Sequence, residues 1–178
     1  MLVNGAGVPG RKSFLTAEPE RIEAVMRTNY LGSVWCARAF LPALRQAAPA
    51  DIVNVVSVAG TVAFAPSGPY SASKFAQLAF SRSLASELAP WIRVHTINPG
   101  FVETEGFPQR GRLRNPLVER TVIEPDVVAS RIVRAIGHRP RERFVPRGYR
   151  LAAIVQALAP NLLARAVAWR GGYRDTPA

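Results

Sequence analysis

Tyr70-Ser71-Ala72-Ser73-Lys74 is the segment whose residue types and spacing carry the most chemistry. On a helix, a spacing of four puts Tyr70 and Lys74 on one face, one turn apart. A phenol titrates near about pH 10 and is a poor base at neutral pH. A neighbouring ammonium stabilises the phenolate and brings the group into use as an acid or a base. Alone, such a pair says little, because Tyr and Lys meet this way on many solvated helix faces. Its neighbours in the chain give it weight. Ser57 stands at the end of a predicted parallel strand, the edge where open α/β sheets hold ligands. Its hydroxyl could hold a carbonyl or alcohol oxygen while Tyr70 moves the proton, although a strand-end serine more often simply makes a turn. Asn29, within Thr28-Asn29-Tyr30-Leu31-Gly32, sits mid-helix, where Asn is a weak helix former. Downstream, Asn98-Pro99-Gly100-Phe101-Val102-Glu103-Thr104 reads as a rigid turn with a hydroxyl able to meet a phosphate or an amide.

The elements that must position these residues alternate short apolar runs with longer helical ones. Met1–Val3 is the stub of a strand. A helical pattern starts at about Pro19, with Thr16 as the expected cap and Glu18 and Glu20 near its positive end, and continues to about Gln46 with a kink near Asn29–Gly32. Ile52–Val56 is apolar and β-branched apart from Asn54 and reads as a buried strand. Pro69 suits the first turn of a helix that runs to about Leu88, where Pro90 stops it. Ile92–Ile97 is the next strand. A loop through Arg114, a helix around Pro125–Ile136 and a short strand at Phe144–Pro146 follow. This alternation predicts an α/β layer structure with a parallel sheet.

In order and spacing, Asn4-Gly5-Ala6-Gly7, Asn29, Ser57, Tyr70-x-x-x-Lys74 and Pro99-Gly100-x-x-x-Thr104 resemble the motif series of the short-chain dehydrogenase/reductase family, over about residues 1–137. The resemblance implies a Rossmann-like, doubly wound parallel sheet. It implies a catalytic set of Ser57, Tyr70, Lys74 and Asn29. Tyr70 would be the general acid/base and Ser57 the hydroxyl that polarises the substrate. Lys74 would bind the nicotinamide ribose and depress the Tyr70 pKa, and Asn29 would hold a water of the proton relay. The cofactor, NAD or NADP, would meet Asn4, Ala6, Gly7, Tyr70, Lys74, Pro99, Gly100, Val102 and Thr104. The implied reaction is reversible hydride transfer between the nicotinamide and a carbonyl or alcohol carbon. One departure is Gly5, where the family usually carries a second Asn.

A larger departure lies at the start. The family opens with a strand, a Gly-rich turn, a helix and two more strands, and this sequence begins at what corresponds to the fourth strand. The expected fold is therefore a partial Rossmann-like sheet lacking the first three strands, with half of the dinucleotide crevice absent and a central strand left at an edge. A misplaced start or a shortened gene would each explain this. Gly5-Ala6-Gly7-Val8-Pro9-Gly10 satisfies G-x-G-x-x-G, but the fingerprint opens directly into a helix whose N-terminus meets the pyrophosphate. Here Pro9, Arg11 and Lys12 intervene in a loop, so the match is accidental.

The remaining composition narrows the alternatives. The formal charge is +11, with only two Lys among the 23 basic residues. Residues 1–109 hold nine basic and seven acidic side chains, against fourteen and five in 110–178, so the excess is C-terminal. GC-rich coding explains such an Arg, Ala and Pro bias as well as a basic surface does, and no zinc-finger or RNA-recognition signature accompanies it, so nucleic acid is not an expected partner. His95, His138 and Cys36 are too few for a zinc site, and a lone Cys36 suits a reducing compartment, in keeping with a cytoplasmic location. Ser57 lacks a G-x-S-x-G elbow, which argues against a serine hydrolase. Residues 1–146 read as the catalytic part of the domain and 147–178 as an apolar, Arg-flanked helical extension. That extension either closes the substrate pocket, joins a homo-oligomer, or lies on a membrane surface through residues 151–170. Ala72, Ala76, Ala79 and Ser83 form a small-residue stripe that permits close helix packing. Phe64, Phe101, Val102 and Phe107 suggest an apolar pocket for a lipophilic alcohol or carbonyl. The competing reading is a non-catalytic fragment or pseudoenzyme that binds another protein.

Overall fold

The computed structural model describes residues 1–10, 12–63, 67–110, 113, 116–139 and 142–162. Its centre is a four-stranded, all-parallel sheet in the order β1 (Leu2–Asn4), β2 (Ala50–Val55), β3 (Ile92–Pro99) and β4 (Glu142–Val145). The apolar runs of the sequence are these strands, and alternate side chains serve opposite faces. Ile52 and Val94 pack on one face with Leu44 of α2 (Gly32–Gln46) and Leu84 and Leu88 of α3 (Gly68–Leu88). Val53 and Ile97 pack on the other with Val128 of α5 (Pro125–Val133) and Ala135. Helices on both faces make the three-layer, doubly wound arrangement, and strands buried on both sides explain why β2 reads as continuous rather than alternating.

A polar row crosses the sheet on the α3 face. Asn4, Asn54, Thr96 and Glu142 stand in register on the four strands. Asn4 Nδ2 donates to Asn54 Oδ1 at 2.8 Å, and Asn54 Nδ2 donates to Ser81 Oγ of α3 at 2.8 Å. Ser81 Oγ in turn lies 2.7 Å from Thr96 Oγ1. Buried polar groups left unpaired are costly, so this row admits one register: a slip by one residue would strand Asn54, which is fully buried.

The long helical pattern from Pro19 is continuous but not uniform. α1 (Pro19–Met26) passes into a π-helical turn, Arg27–Leu31, and then into α2. The kink expected at Asn29–Gly32 is this turn, in which the Gly32 N–H bonds back to the Arg27 carbonyl. π-helical turns of this kind are frequent at functional sites. Thr16 does not cap α1: its hydroxyl sits 3.1 Å from Ser13 Oγ, and the helix opens at Glu18 with no side-chain cap. Pro19 at the first position makes a cap less necessary, since its missing N–H removes one orphan donor. The loop after β3 contains a short helix, α4 (Pro116–Glu119), that the sequence did not announce. α5 ends at Val133, short of Ile136. After β4 the chain enters α6 (Tyr149–Leu158). No described helix is long and apolar enough to cross a membrane.

Candidate active site

The carboxyl ends of β1, β2 and β3 deliver Asn4, Ser57 and Pro99 to one edge of the sheet, and the first turns of α3 deliver Tyr70 and Lys74 to the same place. The Ser57 hydroxyl stands near enough to the Tyr70 phenol to lower its pKa, against the rise that burial causes. It also accepts the Ala59 N–H at 3.1 Å and lies 3.5 Å from the Pro99 carbonyl. Lys74 Nζ is 5.8 Å from the centre of the Tyr70 ring. Ser57, Tyr70 and Lys74 are thus one cluster, as their spacing suggested. Asn29 joins it from the π-helical turn. Its Oδ1 accepts the Val8 N–H at 2.7 Å, and its Nδ2 donates to the Val8 carbonyl at 3.1 Å and to Ser73 Oγ at 3.0 Å. Ser73 donates to the Tyr70 carbonyl at 2.7 Å, so Asn29 staples the loop after β1 to the start of α3. Its side chain is fully committed, and what remains for a water is the backbone carbonyl.

The electrostatics are set by burial. Desolvation raises the Tyr70 pKa above its ordinary value, and the nearby Ser57 hydroxyl opposes that shift. Desolvation lowers the Lys74 pKa from 10.5 to about 8, so the ammonium still predominates at neutral pH. Nζ donates to the Val55 carbonyl at 3.2 Å and to Gln77 Oε1 at 2.8 Å.

The other expected cofactor contacts divide. Gly7 lies where a Cβ would sit 3.5 Å from Asn29 Oδ1 and 3.7 Å from Lys74 Nζ, so the glycine leaves open the space beside the ammonium. Ala6 is exposed in the same turn, whereas the Asn4 side chain is spent on Asn54. Residues 5–10 form a loop with no helix behind Gly10, as expected for an accidental fingerprint. Gly100 is covered by the Tyr149 ring of α6, whose hydroxyl meets Thr121 Oγ1 at 2.6 Å. Val102 pairs with Ile123 and turns its side chain into the core. Thr104 Oγ1 accepts the Phe107 N–H at 3.1 Å. Of the apolar residues, Phe107 is the one brought to the phenol, with its ring centre 5.8 Å from that of Tyr70. Phe101 faces Tyr149 instead, and Phe64 lies outside the described residues.

Sequence reasoning passed over the buried polar neighbours of this cluster. Tyr70, Ser73, Lys74, Gln77 and Ser81 recur at helical spacing, and all but the half-buried Tyr70 are fully buried. The small-residue stripe is on the outside, with Ala72, Ala79 and Ser83 exposed. α3 is therefore an inverted amphipath, and a polar stripe on a helix between two strands was the available signal.

The comparisons agree with this geometry. A family model described as short chain dehydrogenase matches residues 1–113. Dehydrogenase/reductase SDR family member 7B of Xenopus laevis is 32% identical over 91% of this chain and 53% of its own length. 3-Dehydrosphinganine reductase of Danio rerio is 32% identical over 90% of this chain and 50% of its own. The chain thus spans about half the length of these curated relatives. A short chain dehydrogenase from Burkholderia cenocepacia, solved in complex with NADP, is 29% identical with a TM-score of 0.79, covering 93% of this chain and 67% of that one. A match over well more than half of the residues, on a parallel sheet with the Tyr and Lys pair at its carboxyl edge, makes the chain a member of the short chain dehydrogenase family.

Proposed function

We propose that this chain is the catalytic part of an NAD- or NADP-dependent oxidoreductase that interconverts an alcohol and a carbonyl. The observation that carries the reading is the cluster itself: a half-buried phenol with the Ser57 hydroxyl beside it and a buried ammonium 5.8 Å from its ring centre. A nicotinamide cofactor held there would supply the hydride for reduction or accept it in oxidation. Ser57 holds the substrate oxygen. Tyr70 gives its phenolic proton to that oxygen as the carbonyl is reduced, and takes the hydroxyl proton as the alcohol is oxidised. Lys74 stabilises the phenolate that burial disfavours, and the open space beside Gly7 suits a ribose next to its ammonium. Ala6, Gly7 and Pro99 are the backbone surroundings proposed for the nicotinamide end. The Asn29 carbonyl is proposed to hold the relay water.

Phe107 beside Tyr70 supports an apolar substrate, and the similarity to a reductase named for dehydrosphinganine favours a lipophilic one. For assembly, α6 has no buried residue and exposes Leu151, Ile154 and Leu158. A second copy of the chain is the proposed cover, as a homo-oligomer. Light scattering that finds a monomer, with flotation on anionic vesicles, would favour a bilayer instead.

Tyr70→Phe tests the chemistry in the protein that carries this chain. The substitution removes one oxygen and keeps the ring, so the fold is retained while turnover falls by about 10²-fold or more, the scale of a lost acid/base group. Near-normal turnover would falsify the assignment. A folded protein that binds neither NADH nor NADPH would support the protein-binding reading.

A further inference from the structure

We propose that Gln77 is a positioning residue that holds the Lys74 ammonium at the head of a buried, directed hydrogen-bond chain ending on the Asn29 backbone carbonyl. It rests on the reading of Tyr70 and Lys74 as the proton-transfer pair. The chain runs from Lys74 Nζ to Gln77 Oε1 at 2.8 Å and from Gln77 Nε2 to Ser33 Oγ at 2.8 Å. Ser33 Oγ then donates to the Asn29 carbonyl at 3.5 Å. Gln77 and Asn29 are fully buried, and Ser33 and Lys74 nearly so.

The direction is forced. An ammonium only donates, so the Gln77 oxygen must face it and the amide NH₂ must face Ser33. The Ser33 proton is then free for Asn29. With Val55 O at 3.2 Å, two of the three Nζ hydrogens are held by neutral carbonyl oxygens, and one is left for the Tyr70 side. A neutral amine would spend both its hydrogens on the same acceptors and turn a lone pair toward the phenol, which does not support a phenolate. The groups facing Lys74 are Tyr70 of its own helix, Val55 O of β2, Gln77, and beyond it Ser33 and Asn29 from the π-helical turn and α2. All are uncharged at neutral pH. Gln77 Oε1 therefore works against desolvation to keep Lys74 charged, and through Lys74 it governs the phenol.

The test uses a feature of the sequence: the only lysines are Lys12 and Lys74, so lysine 13Cε spectra contain one buried reporter and one exposed control. Gln77→Met, close in volume but without the acceptor, is expected to lower the Lys74 midpoint by about half a pH unit or more. Gln77→Glu, which places a carboxylate there, is expected to raise it above the wild-type value. Ser33→Ala, one link further on, is expected to give a smaller fall. Lys12 stays put in all three. An unchanged Lys74 midpoint, or shifts of the same sign with Met and Glu, would overturn the proposal. If Gln77→Met does not fold, the absence of a rise with Glu, or of a fall with Ser33→Ala, is enough to overturn it. These midpoints need neither substrate nor cofactor. Shifts as expected beside an active Tyr70→Phe would sink the dehydrogenase reading alone; an inactive Tyr70→Phe beside an unmoved midpoint would sink the Gln77 assignment alone.

Discussion

Lys74→Met separates what the buried ammonium costs the fold from what it does for the chemistry. Lys74 is 3% exposed, and burial takes its pKa from 10.5 to about 8. At about 1.4 kcal/mol per unit, keeping the charge inside costs the folded state roughly 3 kcal/mol at neutral pH. The sign follows from proton counts. Between about pH 8 and pH 10.5 the unfolded chain holds the Lys74 proton and the folded chain does not, so wild-type stability rises across that window. Methionine has nothing to titrate. At pH 7 the substitution therefore removes the full penalty, offset by the acceptors Val55 O and Gln77 Oε1 that lose their donor, at about 1–3 kcal/mol for the buried amide oxygen. Those losses do not depend on pH. The wild type should thus gain on the variant by roughly 2.5 kcal/mol between pH 7 and pH 10. Urea unfolding of both proteins at several pH values measures it. A difference between the two that stays constant from pH 7 to pH 10 would refute the argument that Lys74 is a depressed, buried charge.

Other substitutions probe the frame around the site. Asp51 accepts two hydrogen bonds from Arg93, at 2.8 and 2.7 Å, and lies 2.8 Å from His95 Nε2, which holds its carboxyl well below the usual range. Asp51→Ala should cost about 3 kcal/mol, toward the low end for a broken buried pair because Arg93 can reach water; a loss under about 1 kcal/mol in urea unfolding would show the cluster to be idle. Since the folded pKa is depressed, the contribution of Asp51 is present above the ordinary carboxylate range and is lost as pH falls below it, so wild-type stability should decline more steeply in acid than that of the variant. At Gly60 a Cβ would sit 2.7 Å from the Lys74 carbonyl oxygen and 2.9 Å from Val56 Cγ1. Gly60→Ala should therefore push α3 off the turn that follows β2, lowering stability by about 1–3 kcal/mol and moving the Lys74 midpoint; an unperturbed lysine spectrum would contradict the close approach.

Much of the fold was legible because it is written in local patterns. Ile52–Val56 and Ile92–Ile97 are β-branched runs of strand length, Pro69 marks a helix start and Pro90 its end, and strand–helix alternation leaves few topologies open. Ser57, Tyr70 and Lys74 were found because one helical turn and one strand end place them by short-range geometry alone. The cap at Thr16 failed because Ser13 competes for its hydroxyl, a contact between exposed loop residues that no propensity records.

What the sequence determined by itself was therefore the family, the parallel sheet and the residues to propose for the site. Only the tertiary structure decided their environment. Nothing in the local sequence marks Gln77, which the fold buries between Lys74 and Ser33 of α2, and Asn4 reads as a ligand contact until Asn54 takes its side chain. Phe101 and Phe107 look equivalent until one is turned to Tyr149 and the other to Tyr70. The reason is physical. Residue type fixes what a group can donate, accept or titrate, whereas desolvation and hydrogen-bond partners come from segments far apart in the chain, and those are what move a pKa or aim a side chain.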